Sequence, residues 1–462
     1  MEANEILQKA ATLRAGLSTG FRDEIVKSLY NEAETIARRA VKTATDKKYD
    51  LDQRIDRIVT SPLTGLPIML GLLAVIIWLT VSGANVVSDA IAVVLFWVGD
   101  QGTALFNIIN MPWWVTGFIW DGVYRGLAWV ISVMLPPMMI FFPAFTILED
   151  LGYLPRVAFN LDWLFKNAGA HGKQSLTMAM GFGCNAAGVV STRIIDSPRE
   201  RLIAILTNNF VPCNGRFPTL IMLGTVFVAA GFTGFTASII AAGSVVGVVL
   251  IGIGFTLLMS WILTKTVLKG EASAFTLELP PYRRPNIGRI LYTSLIDRTL
   301  FVLWRAMQTA APAGAIIWVL ANIPVGGSNL AQAIAAWLNP FGLLLGLDGV
   351  ILLAYIIAIP ANEIVVPTMM MVYMGAGMMI DGPSTNDAIR SLLIDGHGWT
   401  MLTAVNLMLF ALLHNPCGTT IITIYKETKS YKWAAMSVVI TLGMAFLVTF
   451  LTATVARLMG WA

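Results

Sequence analysis

The sequence predicts an all-α polytopic membrane protein, organised as two inverted repeats with broken or re-entrant helices. Three observations predict it. The 462-residue chain is 56 % hydrophobic and only 13 % charged, against roughly 25 % charged in an ordinary soluble domain. Several apolar runs reach about 20 residues, the length that crosses a bilayer as a helix. Four apolar segments are interrupted by Gly, Pro, Asn and Cys, at 180–185, 211–218, 359–363 and 415–418. A helix in hydrocarbon breaks in this way only against protein or a water-filled cavity.

Charge is concentrated at the start, where residues 1–57 hold 21 of the 58 charged side chains. Ile6, Leu7, Ala10, Leu13 and Leu17, then Ile25, Leu29 and Ile36, recur at helical spacing. Residues 1–60 therefore read as a cytoplasmic amphipathic linker, either solvated or a docking surface for another subunit. No basic n-region leads into an apolar core, so a signal peptide is not expected. Residues 61–125 hold the first span (about 65–82). Lys and Arg are missing between Arg57 and Arg125, which places 83–121 outside by the positive-inside tendency. Trp97, Trp113, Trp114 and Trp120 there suit interfacial helices.

The first gate repeat is expected over 126–268. A span at 126–148 returns to Arg156, Lys166 and Lys173, and 174–190 is followed by Arg193, Arg199 and Arg201. Basic residues on both flanks make 174–190 a re-entrant hairpin from the inside. A broken span at 202–229 then leads out, and 236–264 leads back. Residues 269–298 are a cytoplasmic linker ending in a basic interfacial helix (287–298). The second repeat, 299–432, mirrors the first. Residues 306–389 carry no Lys or Arg; a hairpin at 349–373 entering from outside lets the broken span 400–425 end inside at Lys426, Lys429 and Lys432. The last element, 433–462, ends outside, where Arg457 is out of keeping.

The breaks hold all three cysteines. Cys184 follows Gly181 and Gly183; Cys213 follows Pro212 and precedes Pro218; Cys417 follows Pro416; Pro360 marks the remaining break. Buried Cys is commonly a small hydrophobe. Three thiols at matching breaks point instead to a metal path, since soft sulfur with amide oxygens suits a first-row divalent ion. Asn185, Asn214, Asn362 and Asn415 supply such oxygens or cap freed backbone. Glu363 and Arg216 are intramembrane charges, each costing about 2.5–3.5 kcal/mol on insertion scales. Glu363 offsets cation charge; Arg216 pairs with it or caps a broken helix. His414 is a further candidate ligand, whereas His171 and His397 read as loop residues. No phosphate-binding G-x-x-x-x-G-K-[ST] loop, hydrolytic triad or zinc spacing occurs, so an enzyme is not expected. The net charge of +4 suggests no nucleic-acid partner; the partner is the lipid bilayer.

These motifs in order resemble the ferrous iron transporter B family. The resemblance rests on Asp52 to Ile58 running into Gly65 and Pro67, Leu148 to Tyr153, and the Gly-Phe-Gly-Cys-Asn of 181–185. It continues through Arg199 to Leu202, the Pro-Cys-Asn-Gly-Arg-Phe-Pro of 212–218, the Pro-Ala-Asn-Glu of 360–363, and Pro416-Cys417. It implies a prokaryotic inner-membrane Fe²⁺ permease, N-terminus inside, with no permanently bound cofactor. Cys184, Cys213 and Cys417 would be path residues, joined by Glu363. Family members usually begin with a cytoplasmic GTPase domain, and residues 1–60 resemble only the linker after it. A separate GTPase subunit is therefore expected, with a small cytoplasmic accessory protein and a second copy of the chain as further partners. Where the family often has a basic residue before the Glu, this chain has Asn362. Other readings stay open: a gate transporter of a nucleoside-like solute or another divalent metal, or a non-transporting membrane scaffold.

Overall fold

The computed structural model describes residues 21–40, 47–61, 63–269, 279–379 and 386–460. The expected helical face at Ile6 to Leu17 lies outside them. Nearly everything described is helix, save a small ribbon pairing Pro324–Val325 with Ser328–Asn329. Among the described residues, five helices are long and apolar enough to cross a membrane.

The N-terminal arm is α1 (Phe21–Ala40) and α2 (Lys47–Val59). Ile25, Leu29 and Ile36 lie exposed along α1. After it, α3 (Gly65–Ile108) is one helix of 44 residues. This corrects the expected span at 65–82 with separate interfacial helices beyond it. No proline falls between Pro67 and Pro112, so no missing donor stops the helix. It runs for about 66 Å, twice the ~30 Å hydrocarbon core. Helix α4 (Trp113–Asp150) packs back along it: Tyr124 Oη donates to Leu95 O at 3.0 Å, and Trp120 meets Phe106 edge-on at 5.7 Å. Trp120 thus belongs to a helix pair. Pro136, Pro137 and Pro143 and a wide π turn at 117–124 interrupt α4's hydrogen bonding without ending it, as neighbouring helices allow.

Helix α5 (Tyr153–Asn167) grips α2. Arg156 is 1 % exposed; its Nε and Nη2 donate to Asp56 at 3.0 and 3.2 Å, its Nη1 donates to Gly152 O, and its guanidinium stacks on Tyr282. One turn later, Asn160 donates to Val59 O at 2.8 Å.

The first hairpin is α6 (Gln174–Gly183) and α7 (Asn185–Ser191). Lys173, before it, bonds Ile194 O at 2.9 Å and Asp196 at 3.2 Å after it. Both ends of the hairpin therefore lie together, and the chain re-enters. Ten residues of α6 rise about 15 Å, half the hydrocarbon depth. The first broken span follows: α8 (Pro198–Thr207), capped by Ser197, then α9 (Phe217–Leu223). Helix α10 (Gly234–Lys265) leads back. Helix α11 (Ile287–Tyr292) continues through a π turn, Thr293–Leu300, into α12 (Phe301–Asn322). The basic segment at 287–298 is thus continuous with the next helix, as no Gly or Pro separates them after Gly288.

Helix α13 (Leu330–Leu344), with an Asn329–Gln332 capping box, turns by 110° into α14 (Gly349–Ile357). Helices α14 and α15 (Val365–Met374) form the second hairpin. Its mouth is closed by Tyr373 Oη bonded to Asp348, with Trp399 Nε1 donating to Asp348 at 3.1 Å. A short α16 (Asn386–Ser391) precedes the second broken span, α17 (Met401–Leu413) and α18 (Gly418–Thr428), and α19 (Tyr431–Leu458) ends the fold. Near its end Arg457 donates to Leu343 O, which gives that cation a partner at the end of α13.

Two contacts fix the relation of the halves. The second broken span starts beside Trp399, at the mouth of the second hairpin. It ends at Glu427, paired with Arg193 at 2.7 Å beside the mouth of the first. The first broken span starts after Asp196 and ends at Phe227, stacked on Trp399 at 5.8 Å. The mouths therefore lie at opposite ends of the same two spans. The repeats are inverted.

Candidate functional site

Every break has one local form: an extended residue, then a helical turn. Cys184 (φ −155°, ψ 124°) precedes α7, and Cys213 (φ −86°, ψ 171°) precedes the turn Asn214–Arg216. Ala361 (φ −150°, ψ 110°) precedes Asn362–Ile364, and Cys417 (φ −63°, ψ 158°) precedes α18. Pro212, Pro360 and Pro416 have no N–H to continue a helix, and Val211 before Pro212 is extended (φ −89°, ψ 126°), as the residue before a proline tends to be. Pro218 stands in the first turn of α9, where a missing donor costs nothing. The glycines serve close packing. A Cβ on Gly183 would fall 2.8 Å from the Phe142 ring, and one on Gly181 3.0 Å from Asn208 Oδ1.

Asn185, Cys213, Asn214, Arg216, Asn362, Glu363 and His414 are buried, while Cys184 and Cys417 are half-buried; all three thiols are free. The two hairpin tips and two breaks meet. Gly418 N donates to Ile359 O at 2.8 Å, joining the second break to the second tip. His414 Nε2 lies 3.3 Å from the Asn362 amide. Its Nδ1 lies 2.9 and 3.2 Å from Ala411 O and Phe410 O, which can only accept, so Nδ1 carries the proton and Nε2 presents a lone pair. At the first tip, the Asn185 amide donates to Gly181 O at 3.2 Å and Val211 O at 3.3 Å, linking hairpin and break. Its role there is to cap freed backbone.

Glu363 reaches from the second half into the first. Its Oε1 lies against Gly215, where a Cβ would overlap it, and Trp129 Nε1 donates to Glu363 O at 3.2 Å. Among the described residues the carboxylate has no ion-pair partner. The expected pairing of Arg216 with Glu363 is therefore not formed. Arg216 instead spans both breaks, donating to Asn209 O, Leu412 O and His414 O at 2.8, 2.7 and 3.0 Å and to Asn415 O at 3.5 Å. Carbonyls left over at the end of a helix need donors, and here they take all of the guanidinium's terminal N–H groups.

Cys417 Sγ lies 3.3 Å from Thr420 Oγ1. Cys184 lines a cavity of about 270 Å³ with Phe142, Met180, Arg305 and Thr419. The three thiols lie within range of one another's charge, and Cys213 and Cys417 within range of Glu363. Yet among the described residues no three His, Cys, Asp or Glu side chains converge closely enough to hold a metal ion. The donors are strung along the breaks. Two further buried residues went unread in the sequence: Asn208, which donates to Asn185 O at 3.1 Å, and Asn209, whose amide atoms have no partner. Two consecutive Asn in an apolar span were the available signal. His171 and His397 sit at hairpin mouths: His171 is buried in the turn before α6, and His397 lies 4.3 Å from the Tyr373 ring.

Comparison with known proteins follows the same division. A family model described as "Nucleoside recognition" (Gate) matches residues 131–232 and 303–431, so each matched segment holds one hairpin and one broken span. A second, "Ferrous iron transport protein B C terminus", matches 245–297. The chain belongs to the membrane region of the ferrous iron transport protein B family. The Fe(2+) transporter FeoB of Staphylococcus aureus (strain MSSA476) is 27 % identical over 465 residues and covers 97 % of this chain, which spans 66 % of that relative's length. That of Campylobacter jejuni is 28 % identical over 434 residues, 90 % of this chain and 68 % of its own. A Porphyromonas gingivalis relative, named Fe(2+) transport protein A/Fe(2+) transporter FeoB fusion protein, is 26 % identical over 489 residues, 95 % of this chain and 54 % of its own. No solved structure matches. The membrane region described here is multi-pass.

Proposed function

We propose that this chain is a permease for ferrous iron uptake across a prokaryotic cytoplasmic membrane, with its N-terminal arm inside. One observation carries the reading: Cys184, Cys213, Cys417 and Glu363 stand at four helix breaks that meet between hairpins opening to opposite sides. Sulfur with amide and carboxylate oxygen suits a first-row divalent ion. A spread donor set suits passage better than storage. The cation enters at the mouth of the second hairpin and exchanges water for Glu363, His414 Nε2 and the thiols, with Asn214 and Asn362 beside them. It leaves at the mouth of the first hairpin. An inside-negative potential favours a divalent ion by about 4.6 kcal/mol per 100 mV, from ~2.3 per charge. Inward movement therefore needs a gate more than a pump.

The relatives' name and length support the reading, and a GTPase switch, in the same polypeptide or as a separate subunit, would set that gate through the N-terminal arm. The fusion relative's name supports a small accessory protein as a partner. No catalysis is assigned to these residues, no permanent cofactor is needed, and a second copy of the chain is compatible with the lipid-facing surface.

Anaerobic uptake into proteoliposomes tests this. Changing Cys184, Cys213 and Cys417 together to Ser is expected to lower Fe²⁺ uptake on the order of tenfold, about 1.4 kcal/mol in the barrier; undiminished uptake would sink the thiol path. The description of the first family model, "Nucleoside recognition", favours one competing reading. Metal-independent uptake of a nucleoside by the same vesicles would support it.

A further inference from the structure

Arg216 occupies an unusual place for a cation. It is 2 % exposed, and four backbone carbonyls from both halves of the chain surround it. Asn209 O comes from the first broken span. Leu412 O comes from the last turn of α17, and His414 O and Asn415 O from the break after it. Helix C-terminal ends carry partial negative charge, and in transporters with broken helices such ends and unwound carbonyls coordinate cations. No carboxylate lies within 4.0 Å of Arg216 among the described residues, so carbonyl dipoles alone answer its charge. Two polar groups beside it are unsatisfied: its own Nε, and both amide atoms of Asn209, a residue with 0 % exposure. An unpaired buried group costs about 1–3 kcal/mol. A simple cap would be selected to satisfy these atoms, whereas a seat that exchanges occupants has donors and acceptors to spare.

We propose that Arg216 is a tethered occupant of a cation seat built from the carbonyls of Asn209, Leu412, His414 and Asn415, and that its withdrawal opens the seat to a cargo cation. The second clause rests on the transport reading; the first does not. The seat is made of oxygen alone, so it takes a hydrated or partly dehydrated divalent ion more readily than a soft one. The Cys213 and Cys417 thiols lie within range of the charge held there, and an ion leaving sulfur for the seat would be handed from one half to the other. Because the four oxygens come from both repeats, an occupied seat also ties the halves together, and an empty one lets them part.

The test uses the full chain in nanodiscs, with thermal unfolding as the readout and methylguanidinium, Mn²⁺ and Na⁺ as probes at millimolar concentration. Arg216→Ala is expected to unfold at lower temperature and to regain at least about 2 °C saturably with methylguanidinium or Mn²⁺, by the linkage that any ligand of the native state shows. Wild type and Arg216→Lys, whose seats are filled, should not respond to methylguanidinium and should gain less with Mn²⁺ than Arg216→Ala does. The proposal is overturned if Arg216→Ala gains nothing saturable, or if wild type gains as much. Should Arg216→Ala not fold, it is expressed and purified with the probe present throughout. Recovery of folded protein only with the probe supports the seat, and no recovery with any probe overturns it. Rescue without Fe²⁺ uptake by wild-type vesicles would keep the seat and remove the iron reading. Uptake without rescue would do the reverse.

Discussion

At the scale of single residues, the least expected arrangement is a carboxylate from one repeat resting on a glycine of the other. Glu363 Oε1 occupies the space that a side chain at position 215 would need, so Gly215 and Glu363 specify one another. Neither motif reveals this alone: Pro-Cys-Asn-Gly-Arg reads as a helix break, and Pro-Ala-Asn-Glu as another. Overpacking a fitted contact costs about 1–3 kcal/mol. Gly215→Ala is therefore expected to displace the Glu363 carboxylate and lower Fe²⁺ uptake by roughly tenfold. Glu363→Gln separates charge from shape. It keeps the volume and replaces a buried unpaired carboxylate, costly in itself, with a neutral amide. Thermal stability should hold or rise while uptake falls. If Glu363→Gln lost stability and kept uptake, the acid would be a structural group and not part of the path. The place of the cysteines at the breaks was legible because Gly or Pro stands beside each of them in an apolar run. Asn209 was not: two consecutive Asn mark a polar spot in the span, but the carbonyl that Asn209 lends to Arg216 is a backbone atom that no side chain announces.

At the scale of elements, the contact between the N-terminal arm and the membrane region has a chemistry that can be titrated. Burial works against charge on Asp56, but the hydrogen bonds from Arg156 and Tyr282 and the Arg156 charge outweigh it and hold its carboxyl below the usual range. The Tyr282 hydroxyl is pushed up to about 12, first by burial and then by its bond to Asp56. A depressed folded pKa means that Asp56 stabilises the fold fully above its unfolded value of about 3.9 and loses that contribution as pH falls through the lower folded value. Asp56→Asn leaves Arg156 buried without its partner and is expected to destabilise by about 3 kcal/mol. The gap in unfolding temperature between wild type and Asp56→Asn should stay constant from pH 7 to 5 and close below about pH 4. A gap independent of pH would mean that shape, not charge, holds the clamp. Helix α5, which carries Arg156, leads through one turn into the first hairpin, so movement of α2 has a short mechanical route to Cys184. The hairpins themselves were legible from basic residues on both flanks. Helix α3 was not, since its tryptophans and glycines suit an interface and only the lack of proline foretells a continuous helix.

At the scale of the whole molecule, inversion of the repeats is written in contacts more than in residue identity. The two hairpins share few side chains, yet each ends in an extended residue followed by a helical turn, and each has its ends tied together. Lys173 ties the first to Ile194 and Asp196; Asp348 and Tyr373 tie the second. What sequence periodicity cannot register is which side each mouth faces, because a half-crossing helix has the same composition whichever side it enters from. Flanking charge supplies an expectation, Asp196 inside and Asp395 outside. Both are exposed, Asp196 with 84 % of its side chain open. In a chain whose three native cysteines are Ser, Asp196→Cys and Asp395→Cys should therefore label from opposite sides with a membrane-impermeant thiol reagent. In oriented vesicles with the cytoplasmic face sealed inside, position 395 should react at once and position 196 only after permeabilisation. Inside-out vesicles should reverse the order. If both positions reacted from the same side, the spans linking the two mouths would not cross the bilayer. The converging breaks would then belong to a surface cavity and not to a path between compartments. Opposite labelling would place the breaks that carry the native thiols, Glu363 and Arg216 between two aqueous faces, where a gate has to be.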